Sequence, residues 1–274
     1  MRRDKNTTPV EDSLPDTDDA ALESALPVRG QALREVGTDL AETPGGPGWQ
    51  RSLNRVLTIQ HPVVESHVRM LRRRHPNHTP EQILRTLERE YLAAVTTGGA
   101  AVGASAVIPG VGIGISLALS GAETAYFLEA SALFAQSVTE VHGIAVTEPE
   151  RARTIVMAMM LGGPGADLVK QLAGQAIGKG PARQAFWGDL VAKGLPKAAM
   201  SSISDLVRKQ FVKRFVRAQS ATIVGRAIPF GVGAVIGGIG NHTLGRKVVT
   251  SSRSAFGPAP AAFPYELPAK KSKG

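Results

Sequence analysis

Two long runs without a charged residue constrain this chain more than any other feature of its sequence. The first extends over residues 92–122 and the second over residues 227–245. Each contains an Ile-Pro pair followed closely by glycine, at Pro109-Gly110 and at Pro229-Phe230-Gly231. Proline inside a helical run removes an amide donor and clashes with the preceding turn. Each run therefore predicts a kink or a turn at its proline.

Glycines four residues apart occur inside both uncharged runs. Gly99 and Gly103 have this spacing in the first run, and Gly233 and Gly237 have it in the second. Such spacing gives a helix one flat face, against which a neighbouring helix can pack closely. We expect the first run to belong to a helical hairpin whose arms cover about 80–107 and 111–143. The second run should have a long basic arm before its proline and a glycine-rich arm after it.

The length of the first run does not suit a simple membrane span. One helical crossing needs about 20 apolar residues. A run of 31 residues with a central proline is too long for one crossing and too short for two. Its many Gly, Ser and Thr residues also weaken insertion. Two interpretations stay open: the hairpins insert at a membrane interface, or they pack together in the core of a soluble bundle.

Helix start and stop signals occupy much of the rest of the chain. Thr79-Pro80-Glu81-Gln82 combines an N-cap threonine, a proline at the first helical position and a glutamine three residues after the cap. Thr147-Glu148-Pro149-Glu150 is a similar start, which leads to a stop at Gly162-Gly163. A further helix should begin near Ser202. No polar-apolar alternation of strand length occurs, so the sequence predicts an all-α fold with a single helical bundle domain.

Charge is unevenly distributed and indicates the domain boundaries. Residues 1–48 hold five Lys/Arg against ten Asp/Glu, whereas the rest of the chain holds 27 Lys/Arg against 13 Asp/Glu. An acidic segment rich in Pro and Gly is typical of disorder. We expect a disordered leader at 1–48, a helical domain at 49–256 and a Pro-rich basic tail without stable structure at 257–274.

Two absences indicate the compartment. Cysteine is missing, which excludes disulfides and thiol chemistry and suits a reducing environment. The first thirty residues contain no apolar stretch of the kind found in secretory signals. We therefore expect a cytoplasmic protein, peripheral on the inner face of the cell membrane if it binds a membrane.

A basic amphipathic helix is predicted over 203–217, just before the second uncharged run. Its apolar stripe contains Ile203, Leu206, Val207, Gln210, Phe211 and Phe215, and its bases are Arg208, Lys209, Lys213, Arg214 and Arg217. This pattern suits an anionic membrane surface. The alternative is an ordinary surface helix with its stripe in the core and its charges in water. Nucleic acid ranks lower as a partner because no recognition motif accompanies the bases.

Motifs for catalysis, metal binding or a cofactor are missing from the sequence. The nearest match to a phosphate-binding loop, at 174–180, has one residue too few between its glycines and no Ser or Thr at its end. Four histidines between His61 and His78 lie beside arginines, and no carboxylate is spaced to complete a metal site. We therefore predict no catalytic residue, no metal and no cofactor.

Glu123 and Asn241 are polar residues placed at the end of the first run and inside the second. Buried polar groups need hydrogen-bond partners. Arg226 is the nearest charge before the second run. By the symmetry of the two runs, we expect a structural ion pair between Glu123 and Arg226.

The glycine and proline motifs follow a definite order. A helix led by Pro80 precedes GGAAVGASAVIPG, a helix ending in His142-Gly143, MMLGG, and GRAIPFGVGAVIGGIGNHTLGR followed by AFGPAP. Over about residues 60–265 this order resembles bacterial EcsC-family proteins, particularly those of actinobacteria. The IP-G and G-N elements of the family fall on Pro109, Gly110, Pro229, Gly231, Gly233, Gly237 and Asn241. The resemblance implies a helical, membrane-linked protein and supplies no activity, cofactor or catalytic residue.

The favoured function is therefore a non-enzymatic scaffold or accessory protein on an anionic membrane surface. The alternative is a soluble helical module that binds a polypeptide or a lipid. A hydrolase of undescribed type ranks third.

Overall fold

The computed structural model describes residues 35–36, 39–40, 46–59, 61–105, 113–144, 148–163, 165, 197–226 and 232–264. Seven longer helices lie within these ranges, which contain no strand. The helices are α1 (Pro47–Val56), α2 (His61–Arg74), α3 (Pro80–Ser105), α4 (Ile113–Val141), α5 (Pro149–Leu161), α6 (Lys197–Arg226) and α7 (Val232–Phe256). The predicted all-α fold is confirmed for this part of the chain.

Several helix ends lie where the sequence signals place them. At the start of α3, the amide of Gln82 donates to Thr79 Oγ1 and the amide of Thr79 donates to Gln82 Oε1, which forms a capping box. Pro149 is the first residue of α5, and this helix ends at Gly162, whose φ is +74°. α6 begins at Lys197, earlier than the predicted start near Ser202.

α4 is the central helix of the bundle. It packs against α1, α2, α3, α5 and α7, and between residues 121 and 141 only Tyr126 is exposed. A helix that is apolar on every side suits such a position. Its polar side chains are tied to neighbours, as in the hydrogen bond between Tyr91 and Ser131 (2.8 Å). Burial raises the pKa of Tyr91 above its usual value, so its hydroxyl keeps its proton.

α3 is antiparallel to both α4 and α7. Tyr91 contacts Ser131 of α4, whereas Gly98, further along α3, contacts Tyr126, which lies earlier on α4. The same reversal relates α3 to α7. Glu88 of α3 forms an ion pair with Arg253 of α7. Thr96, which lies further along α3, forms a hydrogen bond with His242, which lies earlier on α7. The C-terminal end of α3 therefore lies beside the N-terminal ends of α4 and α7.

The apolar stripe of α6 packs into the core. Ile203, Val207 and Phe211 are buried, and the ring of Phe215 lies 6.2 Å from the ring of Trp49 in α1. The helix packs mainly against α5. Of the two interpretations, the position of the stripe agrees with the second, an ordinary surface helix whose stripe lies in the core. The physical reason is that α1 and α5 already cover the stripe.

The predicted disorder of the leader 1–48 is wrong at the residues that the structure describes. Val36 and Leu40 are buried in the hydrophobic core, and Ser52 Oγ donates a hydrogen bond to Asp39 (2.6 Å). Gly46 is the N-cap residue of α1, and Pro47 and Gly48 are the first two residues of this helix. The acidic, Pro-rich composition concealed the two apolar residues Val36 and Leu40, which are buried individually. The other residues of the leader lie outside the described ranges.

The predicted lack of structure in the tail 257–274 is also wrong where the tail is described, at 257–264. The guanidinium carbon of Arg72 lies 3.9 Å from the centre of the Phe263 ring, a cation–π contact. Pro264 packs against Gly143, where an added Cβ would lie 2.8 Å from Pro264 Cβ. Gly143 has a φ of +74°, so glycine fits this turn both by conformation and by space. The tail therefore docks on α2 and on the end of α4.

Candidate functional site

Three helices are free of charged residues at the same end of the bundle. The uncharged stretches cover residues 92–105 of α3, 113–122 of α4 and 232–245 of α7. At about 1.5 Å per residue they are roughly 20, 14 and 20 Å long. Because α3 is antiparallel to the other two helices, all three stretches lie together. We call this part of the bundle the uncharged end.

Two hydrogen bonds tie the three helices of the uncharged end together. Asn241 Nδ2 of α7 donates to Glu123 Oε1 of α4 at 2.9 Å. His242 Nδ1 of α7 lies 3.0 Å from Thr96 Oγ1 of α3. The Thr96 hydroxyl donates to the backbone oxygen of Leu92 (2.6 Å), so the proton of the second bond comes from Nδ1 of His242.

The sequence singled out Glu123 and Asn241 without predicting that they contact each other. Glu123 is buried, as expected for a polar group that needs a partner. Arg226 is the last residue of α6, and its side chain lies outside the described part of the structure. The ion pair between Glu123 and Arg226 therefore stays a prediction.

The close approach of α3 and α7 is described at Gly245, which the sequence reasoning did not select. A Cβ added there would lie 3.0 Å from Val95 Cγ2 and 3.1 Å from Leu92 Cδ2. A signal was present, because Gly245 continues the four-residue series of Gly233, Gly237 and Asn241. α7 packs more extensively against α3 than against any other helix. The glycine-rich arm thus faces the first hairpin.

The predicted hairpin residues are only partly described. Gly99 is buried on α3, in line with a packed face. Gly103 lies in α3, and Gly233 and Gly237 lie in α7, but their surroundings are outside the described part. The residues of the two Ile-Pro turns also lie outside it: Pro109, Gly110, Pro229 and Gly231.

Large apolar side chains are exposed on the helices of the uncharged end. Ile239 of α7 is 62 % exposed, and Leu244 of the same helix is 38 % exposed. Tyr126 of α4 is also 38 % exposed, and its ring lies where a Cβ of Gly98 would be. Water therefore contacts apolar surface at this end of the bundle, close to the Glu123 border.

A basic groove lies next to this apolar surface. It has a volume of about 500 Å³ and runs between the C-terminal end of α5 and the outer face of α7. Met160 and Leu161 contribute its apolar wall. Arg246 and Lys247 contribute its charge, and its hydroxyl groups belong to Thr243, Thr250 and Ser251.

The bases predicted to contact an anionic surface lie on the solvent side of α6. Arg208 is half-buried and forms an ion pair with Asp205 at 2.7 Å. The other four are exposed: Lys209, Lys213, Arg214 and Arg217. Gln210, which the sequence placed in the apolar stripe, is exposed as well. The charges of α6 are thus accessible to a partner, although its phenylalanines are not.

One group of side chains resembles the arrangement of a hydrolase. His67 Nδ1 lies 3.1 Å from Ser137 Oγ, and His67 Nε2 lies 3.9 Å from a carboxylate oxygen of Glu90. Ser137 belongs to the central helix and is fully buried. A nucleophile must reach the reacting carbon of its substrate, so this serine is a structural hydrogen-bond partner in the described conformation.

Three further findings bear on the function of this chain. Within the described residues, no group of three His, Cys, Asp or Glu side chains is arranged to hold a metal ion. No described helix combines the length and the apolar character needed to cross a bilayer. No family model, curated protein or solved structure matches the chain. The resemblance to the EcsC family therefore stays a prediction.

Proposed function

We propose that this chain is a non-enzymatic peripheral protein that docks on an anionic membrane surface with its uncharged end. One observation carries the proposal: the two uncharged runs, separated in sequence by α5 and α6, come together at one end of the bundle. A soluble core alone does not require large apolar side chains to be exposed there, as Ile239 and Leu244 are.

The order of residues along α7 suits a membrane interface. Ile239 lies within the uncharged stretch of α7, and Arg246 follows it by about 10 Å along the helix axis. Interfacial protein elements bury their apolar face by about 5–10 Å. The uncharged stretch of α7 is roughly 20 Å long, so it stays within that depth only if α7 is strongly inclined to the membrane normal. Ile239 would then lie below the headgroups, and Arg246 and Lys247 would lie level with the phosphates.

Electrostatics supply attraction over a longer range. The chain has a formal net charge of +9, and the exposed bases of α6 contribute part of it. Each Lys or Arg near an anionic leaflet contributes about 1 kcal/mol to binding. The cytoplasmic leaflet is rich in anionic lipid, which fits a peripheral location there. The role that suits these features is a scaffold or accessory protein.

Two matched leucines test the orientation. Leu244 of the uncharged end and Leu206 of α6 are 38 % and 37 % exposed, and Leu206 lies roughly 30 Å before the end of α6. Binding of the full chain and of the variants Leu244→Glu and Leu206→Glu would be measured by co-sedimentation with phosphatidylglycerol-containing vesicles. We expect Leu244→Glu to weaken binding at least about tenfold, because burial of its exposed 38 % contributes about 0.6–1.1 kcal/mol and a carboxylate beside anionic lipid costs about 1 kcal/mol more. Leu206→Glu should weaken it by no more than about fivefold, which corresponds to the roughly 1 kcal/mol of one charge near the surface.

Each failure has a different meaning. A parent chain that stays in the supernatant with anionic vesicles at low salt would overturn the membrane proposal. The soluble module that binds a polypeptide or a lipid would then take its place. Equal losses for the two leucine variants would show that the uncharged end does not make the contact.

A further inference from the structure

We infer that the basic groove between α5 and α7 binds the phosphate of an anionic lipid headgroup. This inference deepens the proposed function, and it rests on that function for the lipid as the source of the phosphate. The groove has room for a headgroup, with a volume of about 500 Å³.

Arg246 and Lys247, the two cations of the groove, have no carboxylate partner in the part of the chain that the structure describes. They are exposed neighbours on α7. Other arginines of the chain do have carboxylate partners, as Arg253 has Glu88 and Arg208 has Asp205. Arginine can bind two phosphate oxygens at once, and lysine adds a point charge. Two adjacent cations without partners in one groove are suited to a phosphate.

The hydroxyl groups of the groove complement the atoms beside a phosphate. Thr243 donates to the backbone oxygen of Ile239 (2.8 Å), and Thr250 donates to that of Arg246 (2.9 Å). Both threonine protons are therefore used within α7, and the threonine oxygens can accept hydrogen bonds. A glycerol headgroup supplies hydroxyl donors next to its phosphate. Phosphatidylglycerol is for this reason the appropriate probe.

The apolar neighbours of the groove indicate a lipid and not a free phosphate. Ile239, Thr243, Arg246 and Thr250 follow the spacing of one helix face. The exposed Ile239 therefore lies on the same face as the groove and towards the uncharged end. Met160 and Leu161 form the wall opposite. A phosphate that carries acyl chains would place them along this apolar path.

The experiment compares two ways of removing two charges from the full chain. One variant is Arg246→Gln/Lys247→Gln in the groove, and its matched control is Arg51→Gln/Arg55→Gln on the exposed side of α1. Binding to phosphatidylglycerol vesicles would be measured for both and for the parent, and thermal unfolding would verify that all three are folded. We expect about thirtyfold weaker binding for the groove variant, from two charges at the headgroup level. The control should lose at least tenfold less.

Soluble ligands separate this inference from the proposed function. Glycerol 1-phosphate and a short-chain phosphatidylglycerol below its micelle concentration would be titrated while unfolding of the chain is monitored. Saturable stabilisation by the short-chain lipid, absent from the groove variant, supports the inference even for a chain that does not bind vesicles. Equal stabilisation by glycerol 1-phosphate would overturn the lipid source. Equal losses on vesicles for both double variants, or no saturable effect of either ligand, would overturn the groove as a phosphate site.

Discussion

Two glycines of α7 have opposite surroundings, although they are only five residues apart. Gly245 faces Val95 and Leu92 of α3 within 3.1 Å of an added Cβ, whereas Gly240 has no atom within 4 Å of one. In a helix interior, alanine is favoured over glycine by about 1 kcal/mol. The side chain that a position tolerates is therefore decided by the neighbouring helix and not by the helix that carries it.

Substitutions at these two glycines should have opposite effects on stability. Gly240→Ala should raise the free energy of unfolding by up to about 1 kcal/mol through helix propensity. Gly245→Leu should lower it by about 1–3 kcal/mol or more, because the contact with α3 is overpacked. Urea unfolding of both variants against the parent measures the two effects. If Gly245→Leu were as stable as the parent, α3 and α7 would not pack at this position.

The stability of the folded chain should decrease in mild acid because of His142. Its Nδ1 lies 2.9 Å from the backbone oxygen of Val138, so Nδ1 carries the proton of the neutral ring. Burial lowers the pKa of His142 below its usual value, and backbone hydrogen bonds, including the one to Val138, offset part of the effect. The ring also contacts Phe256, at 5.2 Å between centres. Below about pH 6.5 the unfolded chain binds a proton that the folded chain resists, so stability falls as the pH falls.

The midpoint of thermal unfolding would be measured from about pH 7.5 to about pH 5.5 for the parent and for His142→Gln. This range includes the usual pKa of histidine, about 6.5. The midpoint of the parent should fall more over this range, because glutamine does not titrate. All other residues are the same in the two proteins, so their contributions cancel in the comparison. Identical pH profiles would mean that the ring of His142 charges as easily in the folded chain as in the unfolded one.

At the scale of the element, α1 and the residues before it show how composition conceals packing. Trp49, Leu53 and Val56 give α1 an apolar face that is buried in the core. Val36 and Leu40 join the same core from within a segment whose overall composition is acidic. Average charge describes how a segment interacts with water, whereas burial depends on the individual side chains.

Leu40 should therefore contribute substantially to stability. Replacing a buried leucine by alanine costs about 2–5 kcal/mol, and in a domain of this size each 1 kcal/mol shifts the melting temperature by about 2–4 °C. Leu40→Ala should lower the melting temperature by several degrees. Glu35→Ala, at an exposed position of the same segment, is the control and should change it little. If Leu40→Ala had the same melting temperature as the parent, Leu40 would not be packed in the core, and the predicted disorder of the leader would be supported.

At the scale of the whole molecule, the uncharged helix stretches and the basic groove lie next to each other. Uncharged stretches of α3, α4 and α7 share one end, and the basic groove follows immediately on α7. Further positive charge lies on the solvent side of α6. The proposed membrane contact depends on this arrangement, because apolar insertion and electrostatic attraction must act on the same face of the protein.

The sequence by itself determined the helices and many of their ends. The capping box at Thr79 and Gln82, the proline at the start of α5 and the glycine after it act within a few residues of chain. The apolar stripe of α6 was also predicted, apart from Gln210 and the half-exposed Leu206. Such features can be predicted from a sequence because interactions between neighbouring residues produce them.

Only the tertiary structure decided which surfaces meet. It paired Glu123 with Asn241, brought Gly245 against α3, buried Val36 and Leu40, and turned the phenylalanines of α6 into the core. Periodicity shows that a helix has an apolar face, but the partner of that face depends on every other helix that competes to cover it. The uncharged end and the groove beside it arise from the antiparallel packing of α3 with α4 and α7, and no stretch of sequence specifies that packing alone.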